Sequence, residues 1–305
     1  MAYALLRGGS LSKSPLEEAE VGGHMIKLVL CDMDGTLVPF GAERVSDRTL
    51  AAIRSLVHAG VRFGPASGRE PIDLKTFFSG DESLYETGIM ANGKIVDVDG
   101  RRVKTVALDV DALRRVEAFA AEDADCALVI YVREGATTRV LVSGVDEAKA
   151  ERLMRLSRGM LPPMERGCVP DAQIITAGFA CIDATRIAQV RAALERICPE
   201  LDFAQPAPSF LDILPSGWTK ASALPIVERE LGIDRSEIAY FGDSENDLAM
   251  LEAIPCSFAV SSGSEAARSA ARYVIGSAED DAPARVMEAL AAASGDLAAL
   301  DGLLA

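Results

Sequence analysis

Ile26-Lys27-Leu28-Val29-Leu30-Cys31 runs directly into Asp32-Met33-Asp34-Gly35-Thr36, and this join decides how the chain is read. An apolar run broken only at Lys27 suits a buried strand of a parallel sheet. The acidic, turn-forming stretch then falls at the strand's carboxyl end. Two carboxylates two residues apart can point the same way there. Crowding them costs free energy unless a cation separates them or one takes a proton. Both conditions serve phosphoryl transfer. An ionised Asp32 can attack phosphorus. Asp34 can protonate the leaving oxygen and later deprotonate water. Gly35 permits the sharp turn that brings backbone N–H groups near phosphate oxygens. Taken alone, the fragment also suits a solvated acidic turn. A calcium-binding loop of the helix–loop–helix type does not fit, because Leu37 stands where such a loop needs glycine.

Outward from this join the chain alternates. Ser46 is placed to cap a helix carrying Leu50, Ile53, Leu56 and Val57, which stops at Gly60. A strand from Val61 to Ala66 leads into Ser67-Gly68-Arg69, and another strand is expected near Ile89-Met90-Ala91. Gly64-Pro65 is unusual for a central strand, since proline cannot donate to the ladder. Between 96 and 211 the rhythm changes. Val103–Leu108, Ala127–Val132, Arg139–Val142 and Ile174–Ile182 read as strands, and Asp111–Ala124, Glu147–Arg158 and Thr185–Ile197 as helices. Adjacent strands suggest an α+β module with an antiparallel sheet. After Trp218 the parallel rhythm returns, with a helix from Lys220 stopped at Gly232. The strand Ile238–Phe241 then leads into Gly242-Asp243, and further strands are expected at Phe258–Val260 and Tyr273–Ile275. The fold class expected is α/β: a Rossmann-like parallel core from residues 25–95 and 212–305, interrupted by an inserted α+β domain at 96–211. Residues 1–24 read as a flexible extension.

Composition narrows the function. In 305 residues, 31 Lys and Arg face 46 Asp and Glu, a net charge of −15. Such a chain repels nucleic-acid backbones and anionic lipid, so neither partner is expected. Two histidines leave almost no room for a His-based triad or metal site. Six cysteines without C-x-x-C spacing read as free thiols of a reducing cytoplasm. There is no apolar run long enough to cross a membrane.

Three further stretches stand at strand ends or a helix start, where open parallel sheets bind ligands. Ser67 offers a hydroxyl, and Gly68 an unobstructed N–H, to a phosphoryl oxygen. Lys220 begins a helix, where the dipole disfavours a cation unless an anion lies opposite. Asp243 heads a run with Glu245, Asn246 and Asp247. Mg²⁺ takes hard oxygen ligands, which Asp32, the Asp34 backbone carbonyl and Asp243 would supply. Asn246 and Asp247 would hold metal-bound water and orient Lys220.

In this order the four stretches resemble the motifs of the haloacid dehalogenase superfamily, and most of all its Cof-type branch, over about residues 26–290. Asp32-Met33-Asp34-Gly35-Thr36-Leu37 is similar to the first motif, Ser67-Gly68-Arg69 to the second and Thr219-Lys220 to the third. The run from Gly242 to Leu251 is similar to the fourth. Ala91-Asn92-Gly93 resembles an element near the substrate, with Lys94 where a small residue is usual. The resemblance implies a Mg²⁺-dependent phosphatase with a substrate-covering cap inserted between the second and third motifs. Its substrates would be small phosphorylated metabolites of the sugar-phosphate kind. It implies Asp32 as nucleophile and Asp34 as acid and base. Gly35, Thr36, Ser67, Gly68, Asn92, Lys220 and Asn246 would bind phosphate or substrate, and Asp32, Asp34, Asp243 and Asp247 would form the metal group.

Two alternatives stay open. A phosphosugar mutase would need clustered basic groups in the inserted domain, whose Arg114, Arg115, Arg133, Arg139 and Arg186 are scattered. A non-catalytic binding protein would be expected to lack one of the catalytic groups. Tyr131 and Phe179 read as core residues, and oligomeric state is not legible.

Overall fold

The computed structural model describes residues 25–134, 137–156 and 164–300. The expected extension at 1–24 and the last turn of the helix read to Arg158 lie outside the described residues. The strands are β1 (Leu28–Cys31), β2 (Arg62–Pro65), β3 (Gly88–Met90), β4 (Ile95–Val98), β5 (Arg101–Thr105), β6 (Cys126–Glu134) and β7 (Thr137–Ser143). They continue as β8 (Met164–Arg166), β9 (Thr176–Cys181), β10 (Leu201–Ala207), β11 (Phe210–Pro215), β12 (Ile238–Gly242), β13 (Cys256–Val260) and β14 (Tyr273–Ile275).

A five-stranded sheet has the order β14-β13-β12-β1-β2, and all of its pairs are parallel. Its three inner strands, β13, β12 and β1, are buried on both faces, as their continuous apolar runs require. Val29, Cys31, Phe241 and Phe258 pack on one side with Ile53, Leu56, Val286 and Leu290 of the helices Asp47–His58 and Ala282–Ala292. Leu28, Leu30, Ile238 and Tyr240 pack on the other with Leu224, Val227, Met250 and Leu251 of the helices Leu224–Leu231 and Leu248–Ala253. Ser46 caps its helix by accepting from the Thr49 amide at 3.1 Å. Gly232 ends another in the left-handed conformation.

The fold is thus α/β with a parallel core. Strand order corrects one detail. Pro65 does not end a central strand: β2 is the last strand of the parallel sheet, joined beyond it only by a single bridge from Ala66 to Ile89. An edge strand tolerates the missing proline N–H.

A second sheet, of six strands in the order β10-β11-β9-β6-β7-β8, is antiparallel except where β7 meets β8. Leu128, Ile130, Phe179 and Leu211 cover one of its faces with the helices Val110–Glu122 and Ile187–Ile197. The segment expected as a strand at Val103–Leu108 lies instead at β5, in a three-stranded sheet with β3 and β4. Val96, Val98 and Val103 of that sheet pack against the parallel core.

Gly64 lets β2 pass close to the next segment. A Cβ there would stand 2.3 Å from the Thr87 carbonyl oxygen. Replacing Gly64 by alanine is expected to lower stability by about 2 kcal/mol through overpacking. Urea unfolding measures this as a lower midpoint with an unchanged slope.

Candidate active site

Asp32 leaves β1 and Asp243 leaves β12, its neighbour in the sheet. Ser67 follows β2 on the other side of β1. The chain therefore departs from β1 in opposite directions, and a crevice forms at the strand ends. Asn92 follows β3, and Lys220 opens the helical segment after β11.

The centre is an ion-paired cluster. Lys220 Nζ lies 2.6 Å from Asp32 Oδ1 and 2.6 Å from Asp247 Oδ1, with its side chain wholly buried. Burial pulls the amine's pKa down, but Asp247 and Asp32 raise it more, so it stays above the ordinary lysine range. Asp247 is held on every side. Its Oδ1 also accepts from Tyr240 Oη at 2.5 Å, and its Oδ2 accepts the amides of Asp243 at 2.9 Å and Ser244 at 3.1 Å. Asp243 Oδ1 accepts from Thr36 Oγ1 at 3.2 Å.

Asp32, Asp243 and Asp247 bring ligand-capable oxygens within 4.8 Å of one another. The one ammonium ion there pairs with Asp32 and Asp247, and Asp243 has no ion-pair partner among the described residues. Burial pushes the Asp32 carboxyl well up despite Lys220, and it pushes Asp243 up to about 6, with Asp247 adding to the effect. The donor set is hard oxygen with surplus negative charge, which suits a divalent cation.

Asp34 behaves differently. Its side chain is turned away from the acidic cluster, and both of its oxygens accept from Arg69, at 2.7 Å from Nε and 2.7 Å from Nη2. Arg69 in turn stacks over the Phe77 ring at 4.4 Å. Gly35 has a φ of +87°, and a Cβ there would stand 2.7 Å from Asp243 Oδ2. Its own N–H donates to the Val38 carbonyl at 2.8 Å, within the loop. Thr36 is buried with its hydroxyl on Asp243.

Ser67 is buried and its hydroxyl oxygen accepts the Arg69 amide at 3.2 Å. Gly68 lies beneath Asn92, whose side chain a Cβ would meet at 3.3 Å. Asn92 accepts from Asn246 Nδ2 at 3.2 Å and donates to Asp212 Oδ2 at 2.9 Å. The four stretches read from sequence thus meet at one place.

Several members of this site were not singled out from sequence. Tyr240 sits in an apolar strand run and looks like core until its hydroxyl is placed. Arg69 stands within a quoted motif, but nothing local says that it grips Asp34. Asp212 joins the site only through β11, and Lys94, noted from sequence only as an unusual residue in its turn, through the turn after β3. Tyr131, expected in the core, is half-buried on the face of β6 opposite Ile130. The six cysteines are free, and among them only Cys168 is exposed.

Comparison with known proteins gives the family. The family model of haloacid dehalogenase-like hydrolases matches residues 29–287. A 5-amino-6-(5-phospho-D-ribitylamino)uracil phosphatase of Escherichia coli is 29% identical over 83% of this chain and 91% of its own. An HMP-PP phosphatase of Serratia proteamaculans is 26% identical over 75% of this chain and 82% of its own. The solved structure of a phosphatase of the haloalkanoate (HAD) enzyme superfamily from Bacteroides thetaiotaomicron superposes with a TM-score of 0.74 at 23% identity, covering 92% of this chain and 100% of that one. The chain belongs to the haloacid dehalogenase-like hydrolases, in their Cof-type branch, and is a phosphoric monoester hydrolase. Among the described residues no helix is long and apolar enough to cross a membrane.

Lys220 is the counter-ion of two buried carboxylates, so Lys220→Met leaves both without it. Removing one partner of a buried ion pair costs roughly 3–5 kcal/mol. The variant is expected to unfold at a markedly lower temperature than the parent in chelator, which calorimetry would show.

Proposed function

We propose that the protein is a Mg²⁺-dependent phosphatase of small phosphorylated metabolites, sugar-phosphate-like in their alcohol part. It would act through a phosphoryl group carried transiently on Asp32. The observation that carries this is the convergence of Asp32, Asp243 and Lys220 from three separate chain segments onto one buried cluster.

Asp32 and Asp243 would hold the cation through oxygens turned from Lys220 and Thr36, with the Asp34 backbone carbonyl beside them. Mg²⁺, when bound, supplies positive charge that offsets the phosphoryl oxygens. Asp247, whose oxygens already accept five donors, is a positioning group: it orients Lys220 and tethers the amides at 243 and 244. Thr36 positions Asp243.

Asp32 Oδ attacks phosphorus, and the bond to the leaving oxygen breaks as Asp34, which takes up a proton from solvent once it has left Arg69, delivers that proton to it. Asp34 then takes a proton from water, which attacks the aspartyl-phosphate and releases phosphate. Lys220, Ser67 and the amide of Gly68 oppose the negative charge of the phosphoryl oxygens. Asn92 and Asn246 border the same oxygens. Asp34 must leave Arg69 to reach the leaving oxygen, a rotation of one side chain that starts half-exposed.

We place the cap on the six-stranded sheet and its helices, which leaves out β4 and β5 at the start of the expected insertion at 96–211 and runs past its end through β11. The cytoplasm is the expected compartment, in keeping with buried free thiols.

A mutase has less support. Arg114 pairs with Asp111 and Asp171, Arg115 with Glu200, Arg133 with Glu70, Arg139 with Glu165, and Arg186 with Asp123 and Asp125. These arginines are dispersed and each is already matched by carboxylate, so they form no basic cluster.

Asp32→Asn removes the attacking oxygen's charge. Hydrolysis of p-nitrophenyl phosphate in Mg²⁺ is expected to fall by about a thousandfold or more, and Asp34→Asn to lower it by about a hundredfold. Full activity in Asp32→Asn would refute the nucleophile assignment. Chelation with EDTA is expected to abolish wild-type hydrolysis and added Mg²⁺ to restore it. Turnover that persists in EDTA would refute the metal assignment.

A further inference from the structure

The turn between β3 and β4 touches both the phosphate end of the site and the inserted domain. Its backbone is fixed from the core: the amides of Ala91 and Asn92 donate to the carbonyls of Arg69 at 2.9 Å and Ser67 at 3.0 Å. Ala91, Asn92 and Gly93 have φ values of 50°, 55° and 87°. Three left-handed residues in succession cost free energy and persist only where surrounding contacts demand them. Two side chains of the turn make such contacts, and both reach β11. Asn92 Nδ2 donates to Asp212 Oδ2 at 2.9 Å, and Lys94 Nζ donates to the carbonyl of the next residue, Ile213, at 3.0 Å. The Lys94 carbonyl accepts from the Val106 amide at 2.7 Å, where the chain has left β5 for the inserted domain. One residue thus holds both crossings between the parallel core and that domain.

Lys94 is 1% exposed. A buried ammonium is retained only where acceptors and counter-charge compensate it. The charges facing it are Asp212, on β11, and Glu70, which opens the helix Pro71–Phe77. Burial pulls the amine down to about 8, and Asp212 foremost opposes this, so the ammonium form prevails at neutral pH. The reverse holds at Asp212. Burial pushes its carboxyl up, and Lys94 is the first of the groups that pull it back, ahead of Asn92 and Lys220.

The charge on Asp212 decides how Asn92 is held. An ionised carboxylate only accepts, so it takes Nδ2 of the amide and never Oδ1. Asn92 Oδ1 is then turned to Asn246, whose Nδ2 donates to it at 3.2 Å. Asn246 Oδ1 in turn accepts from Ser244 Oγ at 2.7 Å. A protonated Asp212 can donate to Oδ1 and so permits the Asn92 amide to turn over. The order Lys94, Asp212, Asn92, Asn246 therefore runs from a buried cation to the two amides beside the fourth motif.

We infer that Lys94 and Asp212 are positioning residues for the phosphate end of the site: the ammonium keeps Asp212 an acceptor, and Asp212 fixes the amide of Asn92 and, through it, that of Asn246. The inference rests on the phosphatase mechanism above, in which Asn92 and Asn246 border the phosphoryl oxygens. It adds what orients those two amides and why a cation is buried in the turn.

Lys94→Met removes the charge and the donor at similar side-chain length, and Asp212→Asn removes the carboxylate at constant shape. Steady-state kinetics of the full chain in Mg²⁺ test both, with p-nitrophenyl phosphate as substrate and inorganic phosphate as competitive inhibitor. Each variant is expected to raise KM and the inhibition constant of phosphate about tenfold, with kcat changed less than about threefold. The double variant is expected to show the same rise of about tenfold rather than about a hundredfold, because a single relay is broken once. A merely structural role gives a different result: loss of folded enzyme lowers kcat per mole of chain and leaves KM and the inhibition constant in place. An inhibition constant unmoved in either single variant would overturn the inference, and so would losses that multiply in the double variant. If Lys94→Met does not fold, the inhibition constant of Asp212→Asn decides alone. Failure of the wild type to hydrolyse p-nitrophenyl phosphate would instead refute the phosphatase mechanism, a result distinct from a phosphate affinity that the variants leave unchanged.

Discussion

The ammonium of Lys220, lying between the carboxylates of Asp32 and Asp247, is the contact on which the site depends. Its partners come from opposite ends of the chain, so it closes the crevice between β1 and β12. The cost of burying these charges is large, and it is met by mutual pairing, by Tyr240 and by the amides at 243 and 244. The pairing leaves a surplus of negative charge beside Asp32 and Asp243. That surplus suits a divalent cation, as the proposed mechanism requires.

The same electrostatic logic extends across the cleft in a different form. Near Asp32 the carboxylates are short of positive partners. Around Arg69, Arg133 and Arg102 the positive groups are already taken. One end of the crevice is therefore left with surplus negative charge, while at the other the charges are already paired. An overall charge of −15 would repel a phosphorylated ligand, and only a local arrangement of this kind overcomes it.

Two geometric constraints hold the arrangement in place. Gly35 takes a left-handed conformation where any side chain would collide with Asp243. Gly93 does the same beside the segment leading to Lys220: a Cβ there would stand 2.7 Å from the Thr219 carbonyl oxygen. Ala91 and Asn92 share the positive φ of this turn. The turn after β3 is strained in the service of placing Asn92 between Gly68, Asn246 and Asp212.

By itself the sequence determined the parallel core, because apolar runs of strand length ending in Asp32, Ser67 and Asp243 have few other uses. It also determined the chemical types available for the reaction, since only four short stretches carry acidic, hydroxyl and basic groups at strand ends or a helix start. Local periodicity further placed the caps at Ser46 and Gly232. Partnerships across long separations were decided by the tertiary structure alone. Arg69 on Asp34, Tyr240 on Asp247, the edge position of Pro65 and the membership of β5 all depend on which strands lie side by side. Tyr131 shows the reason most plainly: alternation along β6 puts it opposite Ile130, but only the packing of the sheet's two faces says which of them lines a cavity and which fills a core.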